Sequence, residues 1–175
     1  MKAQDDEPNI QVASGQVMSV DLGVKTGIAV FSAEGRLLWF GSRNYGSKNR
    51  LRNDLPRLLQ QYSPLRMLVL EGGGALEEIW LREASYRHIP VTSFHAGHWR
   101  ELFFGSESLM HTGRAKEKAV ELARRVIVLM GEHRATVPVH HAAEAILTGL
   151  CYLYDEGRVE YPTEIRRLFR YPRSK

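Results

Sequence analysis

The sequence predicts an α/β domain: a mixed central β-sheet, an antiparallel three-strand meander joined to parallel strands, with helices on both faces. Three observations predict it. Short apolar runs punctuated by glycine turns open the folded part of the chain within residues 16–41. An apolar run at 67–70 and a further strand at 91–94 then alternate with helical periodicity, and two long helical segments close the pattern at 114–130 and 139–154. Strands first, then alternation, then helices describe a mixed sheet with helices on both faces.

Residues 1–15 carry no periodic pattern and are expected to form a mobile extension of the 16–156 domain. Residues 16–31 read as a strand, a turn and a second strand: Val17, Met18 and Val20 form one apolar run, Ile28 to Phe31 the next, with Gly23 and Gly27 between. A third strand, 36–41, follows the Glu34-Gly35 turn, and three strands joined so closely imply an antiparallel meander at a sheet edge. Leu51, Leu55, Leu58 and Leu59 recur at helical spacing over 50–62, with Pro56 either opening or kinking that helix.

The run Met67 to Leu70 has the continuous apolar character of a central strand buried on both faces. Leu76, Ile79, Trp80 and Ala84 mark a helix, 91–94 a further strand, and 96–104 a short helix in which Trp99 and Phe103 read as core. Ala115, Ala119, Leu122, Val126 and Met130 repeat at i+3/i+4, with Gly131 as a stop. Pro138 opens the last core helix, whose Cys151 lies on an apolar side and reads as packing.

Composition narrows the function classes. The 175 residues suit one domain, and no apolar run approaches the roughly 18 residues of a membrane span. The start is polar and acidic, unlike a secretory signal, and the single cysteine excludes an internal disulfide framework; both point to the cytoplasm. Twenty-four Lys and Arg against 20 Asp and Glu are compatible with a polyanionic partner without requiring one. Residues 157–175 are expected as a basic tail: from Arg158 onward six basic residues face only Glu160 and Glu164, and 166–171 interleaves arginine with aromatic side chains. That composition fits either a solvated tail or a phosphate-contacting arm.

Four side chains are candidates for chemistry. Asp21 directly follows buried apolar residues, where a carboxylate is costly unless it is hydrogen-bonded or binds a cation, and Gly23 and Gly27 are expected to leave the turn open to a ligand. Glu71 ends a buried strand and precedes Gly72-Gly73-Gly74, the position where open α/β sheets place ligands. His141 and Glu144, spaced i and i+3, share one face of an otherwise apolar helix. Each has a plain structural alternative: a turn cap, a helix N-terminal carboxylate, a surface pair. Taken together they can converge on one sheet edge, where three carboxylates repel unless cations hold them. Two Mg²⁺ about 4 Å apart, with Mn²⁺ able to substitute, suit that oxygen-rich set and phosphodiester hydrolysis.

The segment Asp21-Leu22-Gly23 running to Gly27-Ile28-Ala29-Val30, the Leu70-Glu71 strand end, the Gly113-Arg114-Ala115-Lys116-Glu117-Lys118 helix opening and the His141-x-x-Glu144-Ala145 helix together resemble RuvC-type Holliday junction resolvases. The likeness runs from about Val17 to Tyr154 and implies a ribonuclease H-like fold. It implies that Asp21, Glu71, His141 and Glu144 are the metal-binding and catalytic set, with Glu144 where the family usually has aspartate. It further implies that Arg114, Lys116, Lys118 and Lys25 contact nucleic acid. The family often carries an aromatic wedge where this chain has Gly72 to Ala75, and the stretch 98–104 is more similar to the divergent, phage-type branch. The implied activity is two-metal cleavage of a four-way DNA junction by a homodimer, leaving a 5′-phosphate and a 3′-hydroxyl, with the helix around Leu76, Ile79 and Trp80 as a dimer surface. Same-fold nucleases of the YqgF type, acting on RNA, and a nucleic-acid-binding pseudo-nuclease share this pattern.

Overall fold

The computed structural model describes residues 15–105, 112–131, 137–157 and 159–170. The expected extension through residue 14 and the last part of the expected tail, 171–175, lie outside them. Five strands form one sheet in the order β3-β2-β1-β4-β5: β1 (Gln16–Asp21), β2 (Lys25–Phe31), β3 (Leu37–Asn44), β4 (Leu65–Glu71) and β5 (Val91–Phe94). The first three pair antiparallel, while β1–β4 and β4–β5 are parallel. The meander exists because its turns are short, whereas the parallel pairs need helical crossovers.

The alternation of side chains along the strands divides the core in two. Met18, Val20, Ile28, Val30, Leu68 and Leu70 meet the leucines of α1 (Lys48–Gln61) and Ile79, Trp80 and Ala84 of α2 (Glu77–Tyr86). Val17, Ala29, Phe31 and Val69 meet α3 (Ala96–Phe104), α4 (Thr112–Met130), α5 (His140–Glu156) and the short α6 (Thr163–Arg166). Period-two strands and amphipathic helices thus agree on one arrangement. Pro56 lies inside α1, neither at its start nor at its end.

Three expectations change on inspection. Ile79 and Trp80 are buried within this core, so they are not a surface for a second copy; the outward side of α2 carries Leu81 and Tyr86 instead. Residues 159–170, expected within a basic tail, lie against the domain: Tyr161, Ile165, Leu168 and Phe169 are buried, Phe169 stacks on Phe103 and Tyr154, and Arg166 and Arg167 remain exposed. Gly27 does not leave the turn open. A Cβ there would overlap the His141 carbonyl and the Ala142 amide, so this glycine lets the first turn of α5 press directly on β2. Gly149 does the same further along, where a Cβ would strike the Phe31 ring and the Ser19 hydroxyl. Ser19 donates a 2.6 Å hydrogen bond to the Ala145 carbonyl, tying α5 to β1. Among the described residues, no helix is long and apolar enough to cross a membrane.

Candidate active site

The carboxyl ends of β1 and β4 lie side by side, with Asp21 in register with Glu71. Strands about 4.8 Å apart place both side chains at the same rim of the sheet. The close seating of α5 on Gly27 brings that helix's first turns over the rim. His141 Nδ1 then sits 2.8 Å from Asp21 Oδ2, and one ligand atom each from Asp21, His141 and Glu144 fall within 4.8 Å of one another. Glu71 lies outside that triad but close enough for its charge to act on Asp21. Its Oε2 accepts a 2.6 Å hydrogen bond from the Thr148 hydroxyl.

Crowded carboxylates in partial burial have a readable electrostatic consequence. Burial, and then the charges of Glu71 and Glu144, push the Asp21 carboxyl up to about 8. Burial also raises Glu71; the Thr148 hydroxyl and the Trp99 indole oppose the rise, the Glu144 charge adds to it, and Arg100 lowers it. The Trp99 N–H makes no full hydrogen bond among the described residues, so it acts on Glu71 from beyond that range. His141 is shifted down, first by burial and then by His140. A site that holds a proton on Asp21 at neutral pH is one short of positive charge. Carboxylate oxygens with one imidazole are the donor set of a hard or borderline divalent cation, and no thiol stands among them.

The basic candidates separate. Lys116 on α4 acts electrostatically on both Asp21 and His141, and Lys25 at the start of β2 acts on His141. Arg114 is exposed at the same end of α4. Lys118 turns elsewhere, into a cleft lined also by Glu121, Arg125, Arg167 and Arg170.

Two side chains escaped the sequence reading. Thr148 left a trace: His141, Glu144, Thr148, Cys151 and Asp155 form a polar stripe at alternating three- and four-residue spacing along a helix that is otherwise apolar. Arg100 left none. Its guanidinium reaches Glu144 Oε1 at 3.2 Å from α3, a helix whose register no periodicity in nine residues defines. Further along the stripe, His98 Nε2 lies 2.6 Å from Asp155 Oδ2 with the buried Cys151 thiol beside it, and burial followed by the Asp155 charge pushes that thiol upward.

Comparison of sequences finds no matching family model and no matching curated protein. Comparison of folds does find relatives. The chain is similar to the structure of RuvC from Thermus thermophilus, with a TM-score of 0.58 at 17% identity over 81% of this chain and 96% of that one. It also aligns with the yeast mitochondrial Holliday junction resolvase Ydc2 at a TM-score of 0.44 and 12% identity, covering 80% of this chain and 79% of the other. The mixed five-strand sheet, its strand order and the first of these alignments establish a ribonuclease H-like α/β fold of the RuvC kind.

Proposed function

We propose that this protein is a divalent-metal-dependent endonuclease that cuts branched DNA, resolving four-way junctions by hydrolysis of a phosphodiester. The observation that carries the reading is the meeting of Asp21, Glu144 and His141, from β1 and α5, beside Glu71 at the end of β4. A likeness in fold to RuvC agrees with it. Asp21, His141 and Glu144 would hold one Mg²⁺, and Glu71 with Asp21 a second. Bound there, the metal supplies Lewis acidity toward the phosphate and lowers the pKa of water.

The chain's own residues do the rest. Asp21 fixes the ring of His141, so the imidazole presents its other nitrogen in a defined direction. Thr148 holds one oxygen of Glu71 in place. Lys116, close enough to act on Asp21 and His141, is placed to steady negative charge developing on the phosphate. Trp99, wholly buried, turns its indole influence on Glu71 toward the charged form of that carboxylate.

Four-way junctions offer two symmetric scissile strands, and a two-fold pair of copies fits that symmetry. A single buried thiol suits a reducing cytoplasm. The test is a panel of labelled four-way junctions, flaps, plain duplex and structured RNA, each incubated with Mg²⁺ and with EDTA. The reading expects metal-dependent paired nicks in the junction and little cutting of duplex. Preferential cutting of RNA overturns the substrate assignment, and binding without cutting in Mg²⁺ or Mn²⁺ overturns the enzyme.

A further inference from the structure

Arg100 occupies a position that the catalytic reading does not use. It reaches the acidic rim from α3, and its side chain is 22% exposed against 8% for its partner Glu144. The backbone beneath it is anchored, because the neighbouring Trp99 is fully buried and the guanidinium carbon lies 5.2 Å from that indole ring. Its charge is felt by Glu71 as well as by Glu144. Its Nε is buried with no hydrogen-bond partner among the described residues, so the guanidinium meets the Glu144 carboxylate at its tip while its stem remains incompletely paired. An arginine whose hydrogen bond is made at its tip has one strong reason to stay there: the carboxylates need a cation.

We propose that Arg100 is the resident counter-cation of the metal-free site and competes with divalent metal for Glu144. The inference rests on the proposed metal-dependent reading and adds a regulation to it. An oxygen of Glu144 cannot serve a guanidinium and an inner-sphere metal with equal strength, so each bound cation weakens the other. Arg100 thereby keeps the carboxylates at the rim from repelling one another before metal arrives, and it sets the metal concentration at which the site fills. It is a positioning residue, acting through Glu144 rather than on the reacting atoms.

The test measures Mn²⁺ binding to DNA-free protein from the signal of free Mn²⁺ in electron paramagnetic resonance. Arg100→Gln should bind Mn²⁺ roughly tenfold more tightly than wild type, a coupling of ordinary size between linked sites. Glu144→Gln should bind it more weakly, and the double variant should be no tighter than Glu144→Gln alone. A second readout covers the fold. In EDTA, Arg100→Gln should melt below wild type, and saturating Mn²⁺ should close the gap. Unchanged Mn²⁺ affinity in Arg100→Gln, with weakened affinity in Glu144→Gln, overturns the competition while leaving the nuclease reading intact. A melting gap that persists at saturating Mn²⁺ also overturns it, since that marks a structural role alone. Mn²⁺ affinity insensitive to both substitutions overturns the inference and the metal site together.

Discussion

His141 Nδ1 and Asp21 Oδ2 lie 2.8 Å apart although 120 residues separate them in the chain. The contact joins the end of an inner strand to the first turn of the last long helix, and it exists only because α5 settles on β2 without an intervening side chain. The geometry of the acidic rim therefore depends on a glycine that has no chemistry of its own.

Gly27→Ala should damage the site from beneath. The new methyl group would meet the backbone of His141 and Ala142, which has no flexible end to move aside. Overpacking of this kind costs about 1–3 kcal/mol, and the strain falls on the turn that carries His141. Urea unfolding and Mn²⁺ titration of the same variant check it: stability and metal affinity should fall together, whereas lost stability with unaltered metal affinity would place the strain elsewhere.

The Asp21 carboxyl, raised from its ordinary 3.8 to about 8, makes metal-free stability depend on pH. Between those values the folded protein holds a proton that the unfolded chain has released. Stability then falls as pH rises through this window, by linkage. The raised Glu71 works in the same direction. His141, shifted downward, works oppositely near its ordinary 6.5, so the interval from about 7 to 8 isolates Asp21. Thermal melts in EDTA should show a falling midpoint across that interval, flattened by saturating Mg²⁺ and reduced in Asp21→Asn. An Asp21→Asn profile parallel to wild type would remove Asp21 as the cause.

Lys116 and Lys118, two positions apart on α4, should fail differently. Lys116 acts on the acidic rim, so Lys116→Ala should lower the rate of cleavage at saturating protein by roughly 10²-fold while junction affinity changes little. Lys118 faces the cleft with Arg125, Arg167 and Arg170, so Lys118→Ala should weaken binding and reduce the salt slope by about one, with the saturated rate preserved. Single-turnover rates and affinities over a salt series separate the two, and identical profiles would contradict the division.

Much of this architecture was legible before any coordinates. The glycine-punctuated meander, the buried run ending at Glu71 and the i, i+3 pair on the last helix all follow from short-range pattern, which local sequence does encode. What local sequence does not encode is depth. Ile79 and Trp80 look like an apolar stripe whether they face a second copy or their own core, and the sheet behind them decides. Gly27 looks like turn freedom until the helix that covers it is known. Phe169 reads as part of a solvated tail or a phosphate-contacting arm because nothing nearby in sequence reveals Phe103 and Tyr154 as its partners. Arg100 stands on a helix of nine residues with no periodicity strong enough to aim it, so its reach to Glu144 is a tertiary fact.

The central claim is that Asp21 and Glu144, held with His141 at one rim, are the metal-binding acids of a nuclease. Single-turnover cleavage of a labelled four-way junction in Mg²⁺ tests it most directly, run on wild type, Asp21→Asn and Glu144→Gln alongside gel-shift binding. Each substitution should cut the rate by roughly 10³-fold or more with junction binding retained. Cleavage at the wild-type rate by either variant would contradict the claim.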